Sequence, residues 1–265
     1  MARLRNLTAL LLVIWLVLPL IPLAIWSFGR GWTYPMLLPR DFTLQPWAYA
    51  LSPQSGVLHS LCLTTGIALA ATLLSVLLGV PAGRALGLYQ FRGKTLVELT
   101  LLAPIIVPGI AAALGLQSVF IGLHLTNTTS GVVLVHLIPT LPYMVLVMSG
   151  VFAAYDPQTE LQARSLGASS IQIFRHITLP AILPGIMAGA MFTFLVSWSQ
   201  YILTLTIGGG RVVTLPLLLF QFATSGRNDI TGAIAVIYIL PGTLILLLTA
   251  RHLTGRSIAL TRFGQ

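Results

Sequence analysis

The residues that could carry chemistry in this chain are not arranged to do it. Residues 92–95 read Arg-Gly-Lys-Thr, which contains the Gly-Lys-Thr end of a phosphate-binding loop. Such a loop needs a glycine five residues before its second one. Leu88 stands there, with Gly87 one place off. The run reads as a turn with an interfacial lysine, so any ATP must be bound by another chain. The five histidines are His59, His124, His136, His176 and His252. No two stand at i, i+4, and no His-Glu-x-x-His occurs, so metal-assisted hydrolysis has no constellation. The single cysteine, Cys62, allows no intrachain disulfide and no cysteine metal site, and reads as a small buried hydrophobe. No catalytic residue, metal site or cofactor is expected in the chain itself.

Two polar features sit inside apolar runs. Glu98 lies two residues inside the border of one run. An ionisable residue at membrane depth marks function by default, but so close to the border a snorkelled or Arg/Lys-paired glutamate is the plainer reading. No midplane charge is left for a proton relay, which argues against an ion-coupled secondary transporter. The second feature is Ser197-Trp198-Ser199-Gln200-Tyr201. Its amide and hydroxyls need hydrogen-bond partners in apolar surroundings. They are either glue between helices or contacts along a solute pathway, as His136 could also be.

The elements that position these residues follow from composition. Of 265 residues, 56% are hydrophobic and 7% charged, against roughly 25% charged in a soluble domain. That excludes a disordered chain, a coiled coil and almost every soluble enzyme. Apolar runs cover 7–28, 58–82, 96–122, 131–153, 180–203 and 230–250. Each approximates the 20 or so residues of a membrane helix. They are continuous, not alternating, which excludes a β-barrel. The first is longer than the 7–15 apolar residues of a signal peptide. The expected fold is therefore an all-α membrane protein of six transmembrane helices with both termini cytoplasmic. Its parts would be a first helix and outer loop (1–57), a core of five helices (58–250) and a cytoplasmic tail (251–265).

Charge agrees with that orientation. Arg3, Arg5, Arg84, Arg92, Lys94, Arg164, Arg175, Arg251, Arg256 and Arg262 would lie inside, against Arg30, Arg40, Arg211 and Arg227 outside. This is the positive-inside bias, and it accounts for a net charge of +9 without nucleic acid. Gly79/Gly83/Gly87 and Gly185/Gly189 have the spacing that lets helices approach closely, either within the chain or at a subunit contact. Gly208-Gly209-Gly210 makes a flexible outer turn. The apolar stretch 214–222 is too short to span and reads as an interfacial or re-entrant helix.

The longest polar stretch after the first loop is 155–180, YDPQTELQARSLGASSIQIFRHITLP. Pro157 would start a helix, and Gly167 would turn the chain. Thr178-Leu179-Pro180 would end the loop as the fifth span begins. Leu161, Leu166, Ile171, Phe174 and Ile177 give an intermittent apolar face. An ordered loop of this kind suits either a docking surface for another protein or a helix lying on the membrane.

This segment resembles the signature of permease subunits of binding-protein-dependent ABC importers: Glu-Ala-Ala-x-x-x-Gly, nine residues, then Ile-x-Leu-Pro. Ala163, Gly167, Ile177, Leu179 and Pro180 match in register. Leu161 and Gln162 replace the first Glu and Ala, and Glu160 stands one residue early. The resemblance runs over about 55–250, through Leu63-Thr64, Gly79-x-Pro81-Ala82-Gly83, Ala103-Pro104 and Pro108-Gly109. It implies a type I importer in the bacterial inner (plasma) membrane. Two permease subunits, the same or homologous, would form the pathway. A cytoplasmic ABC ATPase dimer would bind the ATP, and an extracytoplasmic substrate-binding protein would deliver solute. The 155–180 loop would be the coupling helix docking on the ATPase, and Ser197, Ser199, Gln200 and Tyr201 would face the solute. The short form looks most like permeases of the spermidine/putrescine type and their relatives for thiamine, iron, phosphonates or oxyanions. Sugar-importer permeases are similar, but less so.

Overall fold

The structure is a computed structural model describing residues 2–30, 32, 36 and 38–262. Among the described residues the regular structure is helical apart from one two-residue antiparallel ladder, β1 (Gly29–Arg30) with β2 (Asp41–Phe42). By length and composition, four helices among the described residues can cross a membrane, or five if one bent pair counts as a span. The chain divides into two compact units, one of Met1–Leu63 with Thr214–Pro241, the other of Thr64–Val213 with Gly242–Gln265.

In the first unit the expected 7–28 span is two helices, α1 (Ala2–Val17) and α2 (Leu20–Phe28), interrupted at Leu18-Pro19. Proline has no N–H to continue the ladder. With 16 residues, α1 reaches about 24 Å, short of the roughly 30 Å hydrocarbon core. After the ladder come α3 (Gln45–Ala50) and a 3₁₀ turn at Pro53–Ser55. Rings of Phe28 and Trp47 pack with centroids 5.7 Å apart. The start of α4 (Val57–Leu88), all of α12 (Leu215–Thr224) and the first part of α13 (Asn228–Arg262) complete the unit. Tyr49 meets Phe222 edge to face at 6.1 Å. Where Gly232 faces α2, an added Cβ would lie 2.7 Å from the Ser27 nitrogen, so only glycine permits that approach. Cys62 is exposed, not buried as expected: in a membrane helix the outward face is apolar too, so hydrophobicity does not mark the inside.

The second unit is built around α7 (Thr129–Ala153), capped by the Thr128 hydroxyl accepting from the Gly131 N–H. Its Val132, Val135, Met144, Val145, Met148 and Phe152 are buried. α4 lies along one side through Gly79, Gly83 and Gly87, which face Met144, Met148 and Phe152. α10 (Leu179–Trp198) lies along another, with Gly185 against Val151 and Gly189 against Met144. Both glycine rows are thus spent on packing within the chain, large side chains of α7 filling the grooves the glycines leave. Leu69, Leu73 and Leu77 of α4 stay more than half exposed.

Expected boundaries shift in four places. α4 continues to Leu88 past Pro81, so Arg84 is helical and not in a loop. The 96–122 run is two helices, α5 (Lys94–Ile106) and α6 (Gly109–Gly122), bent by 107°. Pro108 restricts Val107 to extended geometry (φ −71°, ψ 132°), as a residue before proline requires. The fifth run stops at Trp198, and after three residues α11 (Ile202–Gly208) begins. The expected 230–250 helix starts at Asn228 and runs to Arg262, taking in most of the expected tail. Residues 263–265 of that tail lie outside the described residues.

Candidate functional site

Two places in the second unit gather the residues singled out by sequence: the loop after α7 and a cavity at the breaks of α5/α6 and α10/α11.

The loop is tightly specified by its own backbone. The Asp156 carboxylate accepts the Gln158 N–H (2.9 Å) at the start of α8 (Gln158–Ser165). At the far end the Gly167 N–H reaches the Arg164 carbonyl and the Ala168 N–H the Ala163 carbonyl. This pair of bonds is the Schellman closure, which needs a left-handed residue just past the helix; Gly167 supplies it with φ +86°. Ser169 and Gln172 then form a reciprocal capping box opening α9 (Ser170–Ile173), which satisfies two more orphan donors. The expected stop at 178–180 is absent. A wide π turn, Phe174–Thr178, carries the helix directly into α10, so α9 and α10 form one 29-residue helix.

This architecture leaves an apolar face uncovered. Leu166 is 88% and Ile171 78% exposed, and Leu161 and Phe174 are about half exposed. Gln162 and Pro180 are exposed, while Ala163, Ile177 and Leu179 are half-buried.

Glu160 turns the other way. Its Oε2 accepts from Arg84 Nη2 of α4 at 2.7 Å. Its Oε1 accepts from the Tyr155 hydroxyl (2.9 Å) and the Thr178 hydroxyl (2.8 Å). The Arg84 guanidinium also lies over the Phe152 ring, 5.6 Å from its centroid. Partial desolvation pushes the carboxyl's pKa up, but hydrogen bonds from Arg84, Thr178 and Tyr155 outweigh it and hold the value below the ordinary one. The group is therefore ionised at neutral pH, and its bonds are lost only as pH falls through that lowered value. Sequence reading did not connect Arg84, Tyr155 or Thr178 with Glu160. Arg84 stands 76 residues from its partner, and no spacing signals that.

The cavity measures about 660 Å³. Ala103, Pro104 and Val107 at the α5/α6 break form one wall, Pro139 and Tyr143 of α7 another, and Ser199, Gln200 and Tyr201 a third. Both interruptions of the helical chain thus border the same space. Irregular backbone at membrane depth is tolerated where it lines a cavity. Ser199, Gln200 and Tyr201 come together there.

Ser197 does not join them. It is buried, and its hydroxyl meets His136 Nδ1 at 2.8 Å. The other ring nitrogen meets the Thr204 hydroxyl at 2.9 Å. Thr204 gives its one proton to the Gln200 carbonyl (3.1 Å), so it must accept from His136 Nε2–H. Nδ1 then accepts from Ser197. In the same way Thr140 donates to the His136 carbonyl (2.8 Å), so Ser75 donates to Thr140 (2.9 Å). Two directed polar links meet at His136: Ser75 of α4 through Thr140 to its carbonyl, and Ser197 of α10 through its ring and Thr204 of α11 to the backbone of Gln200. His136 is therefore an internal strut of the cavity wall. Glu98 is half-exposed and belongs to neither ion pair found among the described residues, Arg84–Glu160 and Arg227–Asp229. Among the described residues no group of three His, Cys, Asp or Glu could hold a metal ion.

Comparison with known proteins agrees with this geometry. Residues 75–258, more than half of the chain, match the model of the family described as binding-protein-dependent transport system inner membrane component. The molybdenum transport system permease protein ModB of Mycobacterium tuberculosis is 32% identical over 76% of this chain and 81% of its own length. The spermidine/putrescine transport system permease protein PotC of Haemophilus influenzae is 26% identical over 93% of this chain and 95% of its own. Among solved structures, a bacterial ABC transporter involved in the import of the acidic polysaccharide alginate has a chain that superposes with a TM-score of 0.72. The match covers 94% of this chain and 95% of that one at 16% identity, a likeness of fold. The chain belongs to the binding-protein-dependent transport system inner membrane components, the transport permeases of ABC importers.

Proposed function

We propose that this chain forms half of the solute pathway of an ATP-driven importer and takes its motion from a separate ATPase dimer docked on the loop after α7. The observation that carries this reading is that loop. It is closed by a Schellman turn and a capping box, yet it leaves Leu166 and Ile171 more than three-quarters exposed. Ordered apolar side chains of this kind suit burial by a protein partner. A second permease subunit, the same or homologous, would close the cavity, and a substrate-binding protein would load it from outside. The loop and both termini would lie in the cytoplasm, with six crossings if the first hydrophobic segment and the bent α5/α6 pair each count as one. Reporter fusions after Gln265 and within 158–175 test this arrangement: both should report cytoplasm, and opposite locations would contradict it.

The solute is a small polar molecule. The polyamine class follows from the resemblance and from relatives such as the spermidine/putrescine permease. One observation favours an oxyanion instead. No carboxylate lines the cavity, whose polar groups are the hydroxyls of Ser199, Tyr143 and Tyr201 and the Gln200 amide. Burying an unpaired charge is costly for either sign, but the cavity's hydroxyl and amide protons can hydrogen-bond an anion while no carboxylate is there to pair with a polycation; a relative named for molybdenum is consistent with this. Uptake of labelled molybdate and spermidine by the reconstituted importer separates the two. Gln200→Leu should weaken the preferred solute while leaving assembly intact. One lost hydrogen bond of about 1 kcal/mol corresponds to roughly fivefold in affinity. Loss of assembly in proportion to transport would instead make Gln200 part of the scaffold.

A further inference from the structure

We propose that Arg84, Tyr155 and Thr178 are positioning residues that clamp the docking loop, through Glu160, to three helix ends, so that loop movement becomes helix movement. The proposal rests on the reading of this loop as the ATPase contact.

The geometry separates two jobs within one short segment. Leu166 and Ile171 point out of the chain, while both oxygens of Glu160 are engaged inside it by donors from three segments. The Glu160 side chain is only 13% exposed, so a docked partner finds no free carboxylate there. The three donors are placed where force would pass. Arg84 lies in the last turns of α4, Tyr155 two residues beyond α7, and Thr178 immediately before α10.

Each link is stiff. The charge-assisted bond from Arg84 is short, and such bonds are about twice as strong as neutral ones. Phe152 of α7, over which the guanidinium lies, is itself buried against Gly87 of α4. α10 is a 20-residue helix whose far end, Trp198, adjoins the cavity-lining residues Ser199–Tyr201. A push on the loop is therefore delivered at one end of α10 and read about 30 Å away at the cavity. Without the carboxylate, the loop would still present its apolar face, but its polar tie to the three helix ends would be gone, leaving the buried Ile173 and the backbone through the π turn at 174–178, the place where the helix is most loosely wound.

The experiment needs no knowledge of the solute. The complete importer, with its ATPase, is placed in lipid nanodiscs carrying Cys62→Ser and a reporter thiol, Ser199→Cys, on the cavity wall. Its labelling rate by a charged methanethiosulfonate reagent is measured with and without ATP and vanadate. In this reference complex nucleotide should change the rate about tenfold, and Glu160→Ala or Arg84→Ala should cut that change to about twofold, within the range by which such links tune coupling. ATPase should still co-purify and hydrolyse ATP. The double variant should be no worse than Glu160→Ala alone, because loss of the carboxylate already removes the Arg84 link along with those from Tyr155 and Thr178. Should Glu160→Ala fail to accumulate, Glu160→Gln and Tyr155→Phe, which remove a charge and a hydroxyl, should each lower the response about threefold. Clamp variants that keep the full nucleotide response overturn the proposal. So does loss of the ATPase in step with the response, since the carboxylate would then merely shape the docking face. A failure of the docking reading is seen separately: Leu166→Asp importer that retains its ATPase.

Discussion

Gly87→Leu should prevent the chain from accumulating in the membrane, while Gly66→Ala should leave its abundance unchanged. Both glycines lie in α4, but their surroundings differ. A Cβ on Gly87 would sit 2.7 Å from the Ser149 carbonyl oxygen, 2.7 Å from Phe152 Cβ and 3.0 Å from the Ala153 nitrogen. Two of these are backbone atoms of α7, which cannot rotate away. Relief requires the two helices to separate, which would also disturb Gly79 and Gly83 against Met144 and Met148. Overpacking a close contact costs about 1–3 kcal/mol for flexible neighbours, and a backbone obstacle places leucine at or above the top of that range. Membrane helices have no hydrophobic drive to hold them together against such a loss, only packing and polar contacts. Gly66 has nothing within 4 Å of the same position, so alanine there adds only helix propensity. Quantitative immunoblotting of tagged chain in washed membranes, with thermal stability in detergent, reads both. Normal levels of Gly87→Leu would mean that α4 and α7 do not touch in the membrane.

The pairing behind that forecast was half legible. The four-residue glycine spacing is visible in the sequence, but its partners are not. Met144, Met148 and Phe152 also repeat every four residues, yet a run of apolar residues offers many such sets. Proline shows the same limit. Pro81, Pro139, Pro142, Pro184 and Pro241 lie inside helices, whereas Pro19 and Pro108 mark breaks. Local chemistry is the same at all seven; what differs is whether the neighbours can satisfy the freed carbonyl, a tertiary fact. The loop after α7 was more readable, because its signals are local. Gly167 acts within a few positions and reads as a turn; Ser169 with Gln172 three residues on is equally local, though the sequence reading passed over it. The far-reaching polar links, Arg84 to Glu160 and His136 to Ser197 and Thr204, join residues 61 to 76 apart. Of those residues the sequence marked Ser197 as needing a hydrogen-bond partner in apolar surroundings, without saying with what it would pair. Cys62 misled for the converse reason: in lipid an apolar environment needs no burial.

The loop yields the second large effect. Leu166→Asp should leave the chain abundant and folded yet strip the ATPase from the purified importer, with uptake at background. Leu166 makes little contact within the chain, being 88% exposed, so nothing internal is lost. Burying a leucine against a partner is worth about 1.5–3 kcal/mol, and an aspartate in that place also brings a desolvation cost. Together these weaken docking by roughly two orders of magnitude or more. Gly167 separates docking from simple attachment to lipid. Its φ of +86° forces any Cβ-bearing residue into strain, while nothing within 4 Å would obstruct the side chain itself. Leucine there costs about 1–2 kcal/mol in a left-handed conformation. The cheapest relief is to undo the Schellman closure, which re-aims Leu166 relative to Ile171. Asparagine, which visits that conformation more readily, should preserve function. The expected pattern is therefore Gly167→Leu abundant but uncoupled, with ATPase co-purification reduced, and Gly167→Asn close to wild type. A helix that merely rested on the membrane surface would give the reverse order, since added apolar area strengthens interfacial binding and an asparagine would weaken it.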